Sequence, residues 1–270
     1  MAASVLEELS TVAAEGEPSL IAAEDPGAAP FGNFPHYYRF HPPKERVQLL
    51  SSELRSRLMD TKGSGPLLGL DVGCNSGDLS VALYRLLKGL REEDLVPTQS
   101  LEDNRPVHLL CCDIDATLVQ RAVESNPFPN SITYLCLDIM DPSARQDMLQ
   151  SFFDRFGCSS FDVVFCMSVT MWIHLNYGDS GLVDFLVFMA SACKYLLVEP
   201  QPWKCYRAAA RRLRKLGRNN FDHFRSLSIT GDMTKRITDI LVNEGNSELI
   251  CSFGNTSWDR NILLFKSNRL

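Results

Sequence analysis

The chain has 270 residues, 45% apolar and 22% charged, with 33 acids against 27 Lys plus Arg and a formal charge of −6. This length and composition suit one large α/β domain plus a tail; no apolar run approaches membrane-spanning length, and internal repeats and heptads are absent. The nine cysteines include no C-x-x-C pair, which argues against a disulfide framework or a metal site and fits reduced thiols in a cytoplasmic or nuclear protein.

Residues 1–30 hold no Lys or Arg and six acids, Glu7, Glu8, Glu15, Glu17, Glu24 and Asp25. They read as a disordered acidic tail and not as a basic signal or transit peptide. The tail accounts for the whole net charge, so residues 31–270 are balanced and compatible with a polyanionic partner. Residues 31–43 form an aromatic and histidine-rich connector, and Val47, Leu50, Leu54 and Leu58 mark one face of a helix over 45–59. A strand–helix alternation follows. Strands are expected at 67–72, 107–112, 132–137, 161–167 and 195–198, and helices at 79–90, 116–125, 144–156 and 182–192. Residues 90–106 read as a charged surface loop. Two apolar runs, 248–253 and 262–265, suggest a terminal antiparallel hairpin. The pattern predicts the Rossmann-like α/β sheet of a class I S-adenosylmethionine-dependent methyltransferase, mostly parallel with a C-terminal antiparallel hairpin, over residues 31–270.

The first strand runs into Leu70-Asp71-Val72-Gly73-Cys74-Asn75-Ser76-Gly77, where glycines let the backbone turn and approach a ligand. A carboxylate at Asp71 suits the ammonium of S-adenosyl-L-methionine and would repel a dinucleotide's pyrophosphate, so the loop favours the former over a nicotinamide cofactor. Of the acids ending the second strand, Asp113 is placed for the ribose hydroxyls and Asp115 for capping the next helix. Asp138 and Ile139 after the third strand could meet adenine, and Met167 at the end of the fourth could line the methionine moiety. Four strand tips thereby converge on one crevice.

Beyond the fourth strand, residues 168–179 include Trp172, His174 and Asn176, and the fifth ends near Glu199, Gln201 and Trp203. Stacking faces and polar groups on adjacent tips suit a nucleotide end. Residues 203–218 contain seven Lys or Arg and no acid. At helical spacing Lys204, Arg207, Arg211, Arg214 or Lys215, and Arg218 share one face, as a phosphate-tracking surface would, with Tyr206, Ala209, Leu213 and Leu216 on the other.

Several motifs together closely resemble the bicoid-interacting-protein family of RNA methyltransferases. They are Phe31-Gly32-Asn33-Phe34-Pro35-His36-Tyr37-Tyr38, the glycine loop, Cys112-Asp113-Ile114-Asp115, Ser168-Val169-Thr170-Met171-Trp172-Ile173-His174-Leu175-Asn176 and Leu197-Val198-Glu199-Pro200-Gln201-Pro202-Trp203. The resemblance spans about residues 31–265 and is greatest to the short branch that methylates an RNA 5′-monophosphate. It implies that Arg46 reaches the cofactor carboxylate, that Asp71, Gly73 and Asn75 hold the methionine end, and that Asp113 takes the ribose. Asp138 and Ile139 would take the adenine, and Met167 the pocket wall. His174, Asn176, Lys204, Arg207 and Arg211 would contact RNA. Phe34 stands where the family commonly has Tyr.

The expected reaction is attack of an RNA 5′-phosphate oxygen on the sulfonium methyl. With a second phosphate pKa of ~6, no strong base is needed. His174 and Asn176 are expected as catalytic neutral donors near the reacting oxygen. Small structured RNAs ending in a 5′-monophosphate, such as transfer RNA or a microRNA precursor, are the expected partners, with no membrane and no metal; the oligomeric state is left open, a monomer being the default. A small-molecule or protein methyltransferase, or an RNA-binding adaptor with a degenerate cofactor site, are the competing readings.

Overall fold

The computed structural model describes residues 29–59, 65–90, 105–217 and 220–269. Nearly all of the acidic tail, the segment 91–104 and Arg218 of the basic stripe lie outside them.

A short helix α1 (Tyr37–Phe40) and a longer α2 (Pro43–Met59) precede the sheet. The alternation then runs β1 (Leu67–Val72), α3 (Asp78–Lys88), β2 (Val107–Asp113), α4 (Ala116–Glu124), β3 (Ile132–Cys136), α5 (Pro142–Phe156) and β4 (Phe161–Met167). It continues with α6 (Thr170–Ser191), β5 (Cys193–Glu199), α7 (Trp203–Lys215), α8 (Met233–Asn243), β6 (Ser247–Asn255) and β7 (Asn261–Ser267). Local chemistry sets several boundaries. Asp115 accepts from the Thr117 and Leu118 amides to start α4, the capping role expected of it, and Asp141 does the same for α5 with Pro142 at the first helical position.

The seven strands lie in the order β3-β2-β1-β4-β5-β7-β6. β1 to β5 pair in parallel, and β7 and β6 close the sheet antiparallel, as the apolar runs predict. β1 and β4 are buried along their whole length, which requires helices on both faces. Leu68, Leu70 and Val72 of β1 pack in the cluster with α5 to α8, while Leu67 shares the opposite cluster with Leu50, Leu54 and Leu58 of α2. Each of those three leucines is fully buried, contributing roughly 1.5–3 kcal/mol and fixing α2 to the sheet. Strand order reverses between β1 and β4, so a crevice opens at their carboxyl ends.

Two elements depart from expectation. The helix expected at 182–192 begins at Thr170, so the segment carrying His174 and Asn176 is helical. Its Asn176-Tyr177-Gly178-Asp179 composition reads as a turn, and Gly178 does leave helical geometry (φ 71°, ψ −172°), but the helix resumes beyond it. α8 lies outside the elements that the sequence pattern predicts, although Met233, Ile237, Ile240 and Leu241 make a buried face behind an Asp232 cap. Leu216 is also not on the packed face of α7: it is 58% exposed, just past the helix end. Among the described residues no helix is long and apolar enough to cross a membrane, and no group of His, Cys, Asp or Glu could hold a metal.

Candidate active site

The β1 loop is built as a cradle. Gly73 (φ 77°) and Cys74 donate their amides to the Cys112 carbonyl at 2.8 and 3.0 Å, locking the turn to β2. Asn75, itself in the left-handed region at φ 51°, donates its amide to Asp113 at 2.8 Å and its side-chain Nδ2 to the Phe34 carbonyl at 3.1 Å. Asp113 also accepts the Asp115 amide at 3.0 Å, and burial pushes its carboxyl above the usual range. Asp71 lies behind the loop, 2% exposed, bound by the Ser80 hydroxyl at 2.6 Å and pushed up to about 6 by burial. Asp138 accepts from the Met140 amide at 2.9 Å and the Tyr177 hydroxyl at 2.7 Å. Gly73, Asp113, Asp138 and Ile139 thus line one cavity of about 60 Å³, closed by Phe31, Trp172 and Tyr177. Met167 lies in the core cluster on the α2 face of the sheet and is not among the cavity's lining residues.

A segment ahead of α1 covers this cavity. Gly32 (φ 77°) lies against Trp172, where a Cβ would fall 2.2 Å from the indole Nε1. Asn33 donates to Asp115 at 2.7 Å, and Asn176 donates to the Pro30 carbonyl at 2.9 Å.

A buried polar cluster stands beside the β4 and β5 tips. Arg46, fully buried, donates to Glu199 at 2.9 Å, the Tyr37 hydroxyl at 2.8 Å, Ser168 Oγ at 3.1 Å and the His41 carbonyl at 3.1 Å. Four of the guanidinium's five N–H groups are thereby committed to the protein, and the structure shows Arg46 ordering this wall. Glu199 also accepts from Ser168 Oγ at 2.5 Å and the Trp258 indole at 3.0 Å. Ser168, at φ 62°, adopts a left-handed backbone that brings its hydroxyl to Arg46, Arg260 and Glu199. Gln201 donates to the Ser168 carbonyl and accepts from the Met171 amide and Thr170 hydroxyl, satisfying the start of α6. Tyr37, His41, Trp172, Gln201, Arg212, Trp258 and Arg260 line a second cavity of about 300 Å³. Trp172 belongs to both cavities.

Two expectations require correction. His174 is fully buried, with Nε2 2.7 Å from Asp179 and Nδ1 3.2 Å from the Tyr206 hydroxyl, so it faces neither cavity. Burial lowers its pKa despite Asp179, and the neutral ring donates Nε2–H to the carboxylate. Asn176 spends its amide on the Pro30 and Trp172 carbonyls and holds the covering segment instead of a phosphate. On α7, Lys204 pairs with Asp259 at 2.7 Å, whereas Arg207, Arg211 and Arg214 are exposed on the side next to the cavity-lining Ala208 and Arg212. Trp258 and Arg260 escaped sequence reasoning, since nothing local in the hairpin marks them.

A further concavity of about 1010 Å³ between α2 and α3 includes none of the strand-tip acids.

The family model for Bicoid-interacting protein 3 matches residues 161–267. An RNA 5′-monophosphate methyltransferase of Bos taurus is 57% identical over 258 residues, covering 95% of this chain and 86% of the relative. The chain belongs to the Bicoid-interacting protein 3 family. A family relative from Xenopus laevis, a pre-miRNA 5′-monophosphate methyltransferase, is 60% identical over 250 residues, covering 91% of this chain and 95% of the relative. The span matched by the family model runs from β4 to β7 and so includes Ser168, Glu199, Gln201, Trp258 and Arg260. In fold, the family chain is similar to the N-methyltransferase NodS of Bradyrhizobium japonicum, solved with S-adenosyl-L-homocysteine, at a TM-score of 0.52 and 16% identity over 87% of this chain and 92% of that one.

Proposed function

We propose that the chain is an RNA 5′-monophosphate methyltransferase, transferring a methyl group from S-adenosyl-L-methionine to the terminal phosphate of small structured RNAs such as microRNA precursors and transfer RNA, as a cytoplasmic monomer. The observation that carries this reading is the pair of cavities meeting at Trp172, one walled by strand-tip carboxylates and the other by arginines and aromatic rings. The names and extensive identity of the relatives support the RNA end as acceptor.

The residues present fit the cofactor chemically. Asp113 and Asp138 line the first cavity as acceptors, Ile139 gives it an apolar wall, and Gly73 presents no side chain to it. Its 60 Å³ holds a few waters and not a nucleoside, so admission requires Phe31 and its neighbours to shift. When bound, the cofactor supplies an electrophilic methyl that forms an O–C bond to the phosphate as the S–C bond breaks, leaving S-adenosylhomocysteine and a methyl phosphate ester. The chain's own task is positioning. The terminal phosphate is largely dianionic at neutral pH, so no residue has to remove a proton, and aligning one oxygen lone pair supplies the acceleration. Phe34 and Trp172, in edge contact at 5.7 Å, stand side by side in the wall of the second cavity.

The direct test offers labelled S-adenosyl-L-methionine with one RNA ending in a hydroxyl, a monophosphate or a triphosphate. Label confined to the monophosphate is expected, and equal labelling of the hydroxyl form overturns the reading.

A further inference from the structure

Among the described residues Arg260 makes no ion pair of its own, and the carboxylate whose charge it feels, Glu199, is bonded to Arg46. Arg260 is 8% exposed, and its Nη1 donates to the Tyr37 hydroxyl at 3.0 Å and to Ser168 Oγ at 2.7 Å, both neutral groups. Its Nε meets no acceptor among the described residues. Glu199 is already taken by Arg46, Ser168 and Trp258, so two buried guanidiniums flank a single carboxylate. Burying a charge is costly unless it is paired, and a fold that keeps one in a cavity wall leaves room for its counter-ion.

His41 adds a second unspent group. Its ring stacks on Tyr37 at 4.7 Å and meets Trp258 edge-on at 5.0 Å, while its buried Nδ1 has no partner among the described residues. Burial, followed by the nearby Arg260 and Arg46, pushes this imidazole down to about 3, so it is neutral at physiological pH. A neutral ring can offer an N–H without drawing charge away from an oxyanion.

We propose that the 300 Å³ cavity is the seat of the RNA's terminal phosphate, with Arg260 anchoring an oxygen that does not react and His41 acting as a neutral donor beside it. This rests on the acceptor being an RNA 5′-phosphate. The division of labour answers a conflict in the chemistry. Cations that bind phosphate also lower its nucleophilicity, so one guanidinium held sideways by Tyr37 and Ser168 fixes the group while the reacting oxygen keeps its lone pairs. Tyr37, His41 and Trp258 supply aromatic faces for the first nucleoside, and Arg212 on the same wall leads toward the exposed Arg207 and Arg211.

The test measures anisotropy of a short hairpin RNA with a 5′-monophosphate or a 5′-hydroxyl, in saturating S-adenosylhomocysteine. The wild-type chain should prefer the monophosphate by about tenfold or more, the range of a charge-assisted contact. Arg260→Gln should reduce that preference to below about twofold while affinities for the hydroxyl RNA and for S-adenosylhomocysteine hold, and Arg260→Lys should restore part of it. His41→Ala should lower the preference by about threefold. A cooperatively melting Arg260→Gln variant that keeps the full preference overturns the seat. If that variant does not fold, phosphorus NMR of the wild-type complex decides: the bound phosphate should titrate at least one pH unit below the free one, and an unchanged midpoint overturns the proposal. A wild-type chain with no preference for the monophosphate overturns the functional reading as well, whereas preference retained in the variants overturns only the seat.

Discussion

His174 donates its Nε2–H to Asp179 at 2.7 Å, and the same carboxylate accepts the amides of Ser228 and Ile229 at 2.8 and 3.2 Å. The pair ties the first turns of α6 to the segment that leads into α8. Burial works against ionisation of Asp179, but hydrogen bonds from Ser228, His174 and the two amides hold it at about 2.

Asp179→Ala is therefore expected to cost ~1–3 kcal/mol of unfolding free energy by orphaning a buried imidazole N–H and two backbone donors. Acid should mimic it. His174 is held below its unfolded value, so its contribution is present above about pH 6.5 and declines as the unfolded chain takes up a proton. Asp179's contribution persists above about pH 4 and is lost on falling toward 2. Urea midpoints should drop from pH 7.5 to 4 in the wild type and at least as far in the variant, whose His174 loses the carboxylate that favours its charged form, whereas between pH 4 and 2 the wild type should lose more than the variant. Unchanged stability with abolished methylation would return His174 to the reacting centre.

Asp71 has the opposite sign. Its folded value is raised from 3.8 to about 6, so its contribution is complete below pH 4 and lost as pH rises through 6. An ammonium brought near it favours the ionised form, so S-adenosylhomocysteine binding should tighten between pH 5 and 7 and release a proton. Asp71→Asn should weaken binding by about tenfold and flatten its pH dependence. Calorimetry in buffers of different ionisation heat reads both; a wild-type proton count of zero near pH 6 removes the assignment.

Neutralising Arg207, Arg211 and Arg214 together should weaken RNA binding regardless of the 5′ end. The log–log salt slope should become shallower by about two to three, with S-adenosylhomocysteine affinity unchanged. An unaltered slope would make α7 merely a solvated face.

Gly32→Ala sets a Cβ 2.2 Å from the Trp172 indole at a backbone angle L side chains rarely adopt. The covering segment should lift, lowering cofactor affinity several-fold with a loss of ~1–3 kcal/mol of stability. Thermal melts with and without S-adenosylhomocysteine measure the two effects, and an unchanged ligand-induced shift would show that the segment does not serve the crevice.

The sheet is legible in the sequence because the parallel strands are short apolar runs, of which β1 runs into Gly73, β2 ends at Asp113 and β5 ends at Glu199, and Asp113 and Asp115 divide as strand tip and cap. His174 is misread because the turn-like residues 176–179 mask a helix that resumes beyond Gly178. Arg260 and Trp258 are invisible one at a time, and the motif that holds Tyr37 does not show that they meet it. Their meaning lies in convergence: Arg260 bonds Tyr37 across 223 positions. No local pattern encodes that.

The same span governs when the site comes into being. Tyr37, His41 and Arg46 precede the sheet, while Trp258 and Arg260 arrive on the last hairpin. The part of the chain that ends with the parallel strands contains Asp71, Asp113 and Asp138 together with Tyr37, His41 and Trp172, yet it lacks the Trp258 and Arg260 that complete the second cavity's wall. Closing that loop is among the most entropically demanding steps of folding, and it comes after most of the core is available to reward it. A chain clipped ahead of the last hairpin would thus carry every strand-tip carboxylate and still lack Trp258 and Arg260, so the two cavities depend on different lengths of the chain.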